Sequence, residues 1–218
     1  GRGIAITHGR GSRVFDTSGR EYLDFFNGHG ASLFGHSHPL LTEALEKASK
    51  GIWTSGAGFG SPVREKLADE LGQMLGEGRV FLCNSGTEAI EAALKLVLTL
   101  RKGRSRILAC RRAFHGRTCG ALSITFNPKY KEPFTLLTGK AEHFSTEDLA
   151  ENIDDDTAAV FIEPVQGEGG VFALPLETGN KITEACRKHS ALLASDEIQS
   201  GLGRCGAPLA SSLTGLDP

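Results

Sequence analysis

The chain has 218 residues, 39% of them hydrophobic and 23% charged, with a formal net charge of −2. That length supports one sizeable core, or a large domain with a smaller appendage; the charge offers no basic field for nucleic acid, and no stretch approaches the ~20 apolar residues that cross a bilayer. Five cysteines without close pairs, Cys83, Cys110, Cys119, Cys186 and Cys205, form neither a disulfide framework nor a zinc knuckle, so a soluble protein of the reducing cytosol is expected.

The opening stretch "GRGIAITHGRGSRVFD" has no apolar signal core and no initiator methionine, and is read as the start of a mature, trimmed or fragmentary chain. Val14–Phe15 and Tyr22–Phe25 read as two strands joined by the turn Asp16-Thr17-Ser18-Gly19, in which Gly19 supplies a positive φ. Leu41, Ala44, Leu45 and Ala48 keep helical spacing behind Pro39. Leu67, Leu71, Met74 and Leu75 do the same in a helix from Pro62 to Leu75, which "GEG" (76–78) closes.

Next come a compact β-type run, "RVFLC" (Arg79–Cys83), the turn "NSGTEA", and a helix face of Ile90, Ala93, Leu94, Val97 and Leu98. A second strand, "RILAC" (Arg106–Cys110), completes a βαβ unit. "AAVFIE" (Ala158–Glu163) and "ALLAS" (Ala191–Ser195) read as buried strands around a helix with Ile182, Ala185 and Cys186. The fold class is therefore α/β with a mostly parallel sheet flanked by helices.

Four motifs stand at strand ends. In "NSGTEA" a helix N-terminus offers free N–H groups, Gly86 admits an anion close to the backbone, and the hydroxyls of Ser85 and Thr87 add donors, which suits a phosphate. The same residues also fit a plain cap, Ser85 or Thr87 with Glu88 or Glu91. Neither G-x-G-x-x-G nor G-K-[ST] is present in this segment, which argues against a dinucleotide or P-loop site there. In "AFHGRT", Phe114 can stack on a planar ring and Arg117 can grip a carboxylate through two parallel hydrogen bonds, with His115 equally a packing residue.

"EPVQGEGG" ends a strand at Glu163 and carries Glu168 on a glycine-rich loop. "SDEIQSG" places Asp196 at another strand end, where a carboxylate could keep a ring nitrogen protonated: two pKa units need about 2.7 kcal/mol. Gln199 could reach a neighbouring ring hydroxyl. The alternatives are a helix-capping Asp196 and a Glu197 that faces a structural arginine.

Taken in order, "NSGTEA", "AFHGRT", "EPVQGEGG" and "SDEIQSGLGR", with "REYLDF", "GHSHP" and "KYKEPF" between and before them, resemble the class III (subgroup II) aminotransferases that use pyridoxal phosphate. Within that family the pattern is most similar to acetylornithine aminotransferases and the related carrier-protein enzymes of lysine and arginine synthesis. The resemblance implies a fold-type-I, aspartate-aminotransferase-like architecture. It also implies transfer of an amino group from N-acetylornithine, or a similar N-blocked ornithine or lysine, to 2-oxoglutarate in a cytoplasmic homodimer. Other ω-amino-acid aminotransferases and aminomutases of the family are the alternative.

By the same resemblance, Ser85, Gly86 and Thr87 bind the cofactor phosphate, Phe114 stacks on its ring, Asp196 pairs with the ring nitrogen, and Gln199 lies by the ring hydroxyl. Arg117 holds a substrate carboxylate, and Glu168 is a switch glutamate that lets one site take two substrates. Residues 1–50 would belong to the small domain and linker, and 51–218 to the cofactor-binding domain. The family's Schiff-base lysine is expected beyond Pro218, since no lysine here has a matching context, and no metal is expected.

Overall fold

At the amino-terminal end three short strands form an antiparallel sheet in the order β1 (Ile6–Arg10), β2 (Arg13–Asp16), β3 (Glu21–Leu23) in the computed structural model, which describes residues 3–56, 58–76 and 78–218. The chain divides into two compact units, Gly1–Arg79 and Val80–Pro218. The expected β2–β3 hairpin is present, and Asp16 makes its turn: one carboxylate oxygen accepts from the N–H groups of Ser18 (2.9 Å) and Arg20 (3.0 Å). The hydroxyls of Ser18 and Tyr22 also bond this carboxyl and hold its pKa down at about 2.

Strand β3 stops at Leu23 rather than at the expected Phe25, because Asp24 turns the chain by accepting from Phe26 N (2.9 Å) and Asn27 N (2.8 Å). Two helices follow, α1 (Pro39–Ser49) and α2 (Pro62–Leu75), each with proline in its first turn, where the missing N–H costs nothing. Gly76 ends α2 in the left-handed conformation (φ 77°), while Glu77 of the expected "GEG" stop lies outside the described residues. The apolar faces of both helices are exposed within this unit.

The boundary between the units falls within an expected strand, "RVFLC", and here the structure differs. Arg79–Cys83 forms no strand; it pairs with no neighbour among the described residues, and Phe81 is 73% exposed. A strand exists through its ladder, and an apolar run without a partner cannot supply one. From there the chain runs through α3 (Gly86–Leu100), β4 (Arg106–Cys110), α4 (Cys119–Ile124), α5 (Pro128–Lys131), β5 (Glu142–Phe144), β6 (Thr157–Ile162), β7 (Val165–Gln166), β8 (Phe172–Ala173), α6 (Leu176–Lys188), β9 (Leu192–Ser195) and α7 (Ser211–Thr214).

The main sheet has the order β5-β4-β6-β9 with every pair parallel, as the apolar runs implied; β7 and β8 form a small antiparallel pair. Because successive side chains of a strand point to opposite faces, β4 and β6 fill two cores at once. Ala109, Ala159 and Phe161 pack with Ile90, Leu94 and Val97 of α3 and Ile124 of α4. Leu108, Cys110, Val160 and Ile162 pack with Ile182 and Cys186 of α6 and with Leu149. Every residue of β6 is buried, the pattern of a central parallel strand, and each large side chain contributes roughly 1.5–3 kcal/mol.

All four strands therefore end at one edge, where Cys110, Phe144, Ile162 and Ser195 hand over to loops. Open parallel sheets present ligands with backbone and side chains at that edge. Among the described residues, no helix is long and apolar enough to cross a membrane.

Candidate active site at the carboxyl edge of the sheet

Asp196 is the first residue beyond β9. Its N–H donates to Ile162 O (2.8 Å), extending the ladder by one step and fixing where its carboxylate stands. One oxygen accepts from Ile198 N (3.1 Å) and the other lies 2.6 Å from His115 Nδ1, with only 4% and 0% of the two side chains exposed. A ring nitrogen that close to a carboxylate carries a proton, so Nδ1–H donates to Asp196. Nε2 is buried and has no hydrogen-bond partner among the described residues, and the ring meets Phe161 edge-on at 6.3 Å.

His115 is thus more than packing. Its own N–H donates to Thr125 Oγ1 (2.9 Å), which in turn donates to Gly116 O (2.9 Å), so a buried threonine locks the loop that carries the ring. The only sequence signal for the pair was a histidine and an aspartate just past two strand ends of one parallel sheet, which register alone could bring together.

Around this pair is a cavity of about 470 Å³ whose walls include Gly86, Thr87, Phe114, Arg117, Asp196 and Gln199. Six of the eight residues singled out from the sequence therefore meet in one place. Ser85 stands just outside as the N-cap of α3: its Oγ accepts from Glu88 N (3.4 Å) while Glu88 Oε2 accepts from Asn84 N (2.7 Å), the capping alternative realised. Glu168 lines a neighbouring cavity of about 310 Å³ that shares Phe114 with the first. Among the described residues no lysine lines the larger space.

The first-turn N–H groups of Gly86 and Thr87 have no carbonyl within the helix to meet, so they give the cavity a partly positive wall. Thr87 Oγ1 lies 2.7 Å from Thr118 Oγ1, whose own proton goes to Glu91 Oε1 (2.6 Å). The Thr87 hydroxyl must then donate to Thr118, and what it offers a ligand is its backbone N–H rather than the expected O–H. Glu91 also accepts from Gly120 N (2.8 Å) and Ala121 N (3.1 Å), the start of α4. Although burial opposes it, the Thr118 hydroxyl and these N–H groups hold the Glu91 carboxyl below its usual range.

Gly116 makes this close fit possible. It adopts φ 121°, and a Cβ there would stand 2.3 Å from Thr87 Oγ1. Gln199 is set the same way, its amide lying across Gly167, where a Cβ would meet Oε1 at 1.6 Å. Phe114 leans edge-on against Tyr130 at 6.0 Å, leaving a ring face for the cavity.

Two further carboxyls brace this edge of the sheet. Among the described residues Glu197 pairs with no arginine: it accepts from Ser200 Oγ (2.8 Å), Ala210 N (3.0 Å) and Ser211 N (2.7 Å), binding the loop after β9 to the start of α7. Glu163, directly after β6, is buried (7% exposed) and accepts from Phe114 N at 2.9 Å; burial raises its pKa to about 7.

This geometry has counterparts. The family model described as aminotransferase class-III matches residues 2–218. A [LysW]-aminoadipate semialdehyde/glutamate semialdehyde transaminase of Sulfolobus acidocaldarius is 42% identical over 94% of this chain and 54% of its own length. An acetylornithine aminotransferase of Mycolicibacterium smegmatis is 41% identical over 99% of this chain and 56% of its own. The ornithine aminotransferase of Toxoplasma gondii, whose structure has partial occupancy of PLP at the active site, superposes with a TM-score of 0.90 at 33% identity, over 97% of this chain and 53% of that one.

The chain spans about half the length of the curated relatives it matches. Class III aminotransferases are PLP-dependent enzymes of fold type I, acting on an amino acid and a keto acid. An α/β fold around a parallel sheet agrees with that architecture, and this chain belongs to the class III aminotransferase family.

Proposed function

We propose that the protein carrying this chain is a PLP-dependent aminotransferase of a cytoplasmic homodimer. It moves an amino group from N-acetylornithine, or a similarly N-blocked ornithine or lysine, to 2-oxoglutarate. The observation that carries the reading is Asp196: a buried carboxylate, held by His115, forms one wall of a cavity that the open N-terminus of α3 also lines. The donor set fits a planar aromatic phosphate with a basic ring nitrogen. N–H groups meet the anion, a carboxylate meets the ring nitrogen, and at Gly86 a Cβ would collide with Ile198 Cδ1 at 2.6 Å, so the approach to the helix start stays narrow.

In this proposal Ser85, Gly86 and Thr87 hold the phosphate, Thr87 through its backbone. Phe114 covers one ring face, Asp196 keeps the ring nitrogen protonated, and Gln199 bonds the ring hydroxyl side. When bound, PLP supplies an electron-withdrawing ring that stabilises negative charge at the substrate carbon bearing the amino group. Arg117 grips the substrate's α-carboxylate and Glu168, one wall away, is the switch glutamate. The amine that moves the substrate proton comes from a lysine outside this chain. The names of the relatives support an acylated or carrier-bound amino donor, since acetylornithine, succinylornithine and [LysW]-linked substrates all mask one amino group.

The test uses the full-length protein. Glutamate formed from 2-oxoglutarate and N-acetylornithine should fall about 100-fold in Asp196→Asn, the equivalent of two lost pKa units at the ring nitrogen. A wild-type protein that takes up no PLP, or a variant with unchanged turnover, would sink the reading.

A further inference from the structure

We propose that Glu163 is a positioning residue whose carboxyl clamps two loops together: the one after β4, carrying Phe114 and Arg117, and the one after β7, carrying Gly167 and Glu168. Its Oε1 accepts from Phe114 N at 2.9 Å, and the backbone N–H of Gly167, on the other loop, favours its charged form. One further bond spans the same gap, from Gln166 Nε2 to Arg111 O (2.9 Å), and the loops touch where a Cβ at Gly169 would meet Arg112 Cβ at 3.1 Å. The carboxyl thus reaches both the loop that offers the aromatic face and the loop against which Gln199 lies.

Glu163 also forms the partition between the cavity at Asp196 and a second cavity of about 490 Å³. His115 and Asp196 face it from the inner side, the Cys110 thiol from β4, and Arg111, Arg112 and Glu147 from around the outer cavity. An ionised carboxylate accepts the Phe114 N–H strongly and attracts the Gly167 N–H, whereas a protonated one does both weakly. With burial raising its pKa to about 7, the clamp tightens as pH rises through neutrality. Phe114 and Gln199 are then held in place, and below neutrality they loosen together.

The consequence for cofactor binding rests on the proposed site; the clamp itself is tested without cofactor. In the cofactor-free, full-length protein labelled with 15N at Phe and Gly, the amides of Phe114 and Gly167 should titrate together with a midpoint near 7. Glu163→Gln, which keeps an acceptor oxygen but not the titrating proton, should flatten both curves. Glu163→Ala should speed hydrogen exchange across 112–118 and 166–170 about tenfold relative to Glu163→Gln, the worth of a lost hydrogen bond.

Amides that do not titrate in the wild type, that still titrate in Glu163→Gln, or that exchange alike in the two variants overturn the clamp. PLP uptake, read separately by absorbance, decides the cofactor site: uptake with flat amides removes the clamp alone, and titrating amides without uptake remove the site alone.

Discussion

Asp196 and Glu163 end neighbouring strands and are both buried, yet they meet burial differently. Asp196 bonds a histidine and a backbone N–H, while Glu163 accepts from the Phe114 N–H and burial pushes its pKa from 4.5 to about 7. A carboxyl whose folded pKa lies above its unfolded value favours the fold when neutral. Its contribution is complete below about pH 4.5 and is lost as pH rises to about 7, on the order of 3 kcal/mol at full effect. Urea unfolding at pH 5 and pH 8 should show that loss in the wild type and a smaller one in Glu163→Gln; equal slopes in both proteins would place the titration elsewhere. Arg117 gives a second test at this scale. If it grips an α-carboxylate, Arg117→Ala should raise KM for N-acetylornithine about tenfold or more and leave a simple ω-amine unaffected, because a charged hydrogen bond is worth about 1.5–3 kcal/mol. Equal changes for both donors would remove that role.

Among elements, the contact between the loop after β4 and the first turn of α3 is the least forgiving. Gly116→Ala puts a methyl group 2.3 Å from Thr87 Oγ1 at a φ of 121°, so the loop must withdraw from the helix start. Stability should fall by about 1–3 kcal/mol and PLP affinity should drop with it; a variant that unfolds like the wild type and binds PLP unchanged would show that the loop can yield. The central strands were legible because β4, β6 and β9 are apolar runs filled from both faces, and that pattern is written in the residues themselves. "RVFLC" has the same pattern but no ladder, since pairing depends on a neighbour that a local run does not specify. Helix α4 went unread for a related reason: "CGALSI" is short and holds a glycine, and its start is capped by Glu91, 29 residues away from Gly120. The cavity residues were legible as motif positions, while the brace behind them, His115 with Thr125, was not, because nothing in "FHGR" says which way its ring points.

For the molecule as a whole, the two cores on either side of β6 make this strand the element on which stability turns. Phe161 is fully buried between β6 and α3, and Phe161→Ala should cost about 3–5 kcal/mol in denaturant unfolding, with the loss appearing in both secondary-structure and tertiary signals if the second unit unfolds as one body. A loss below 1 kcal/mol would mean that the two faces do not share one transition. The parallel sheet also carries a consequence in time. His115 and Asp196 are 81 residues apart, so during synthesis at about 5–20 residues per second the ring waits roughly 4–16 s for its carboxylate to be made. Through that interval β4 can find β5 but not the completed edge. The nascent chain therefore holds its aromatic loop ready before its carboxylate exists, and this pair closes only after β9 has been made.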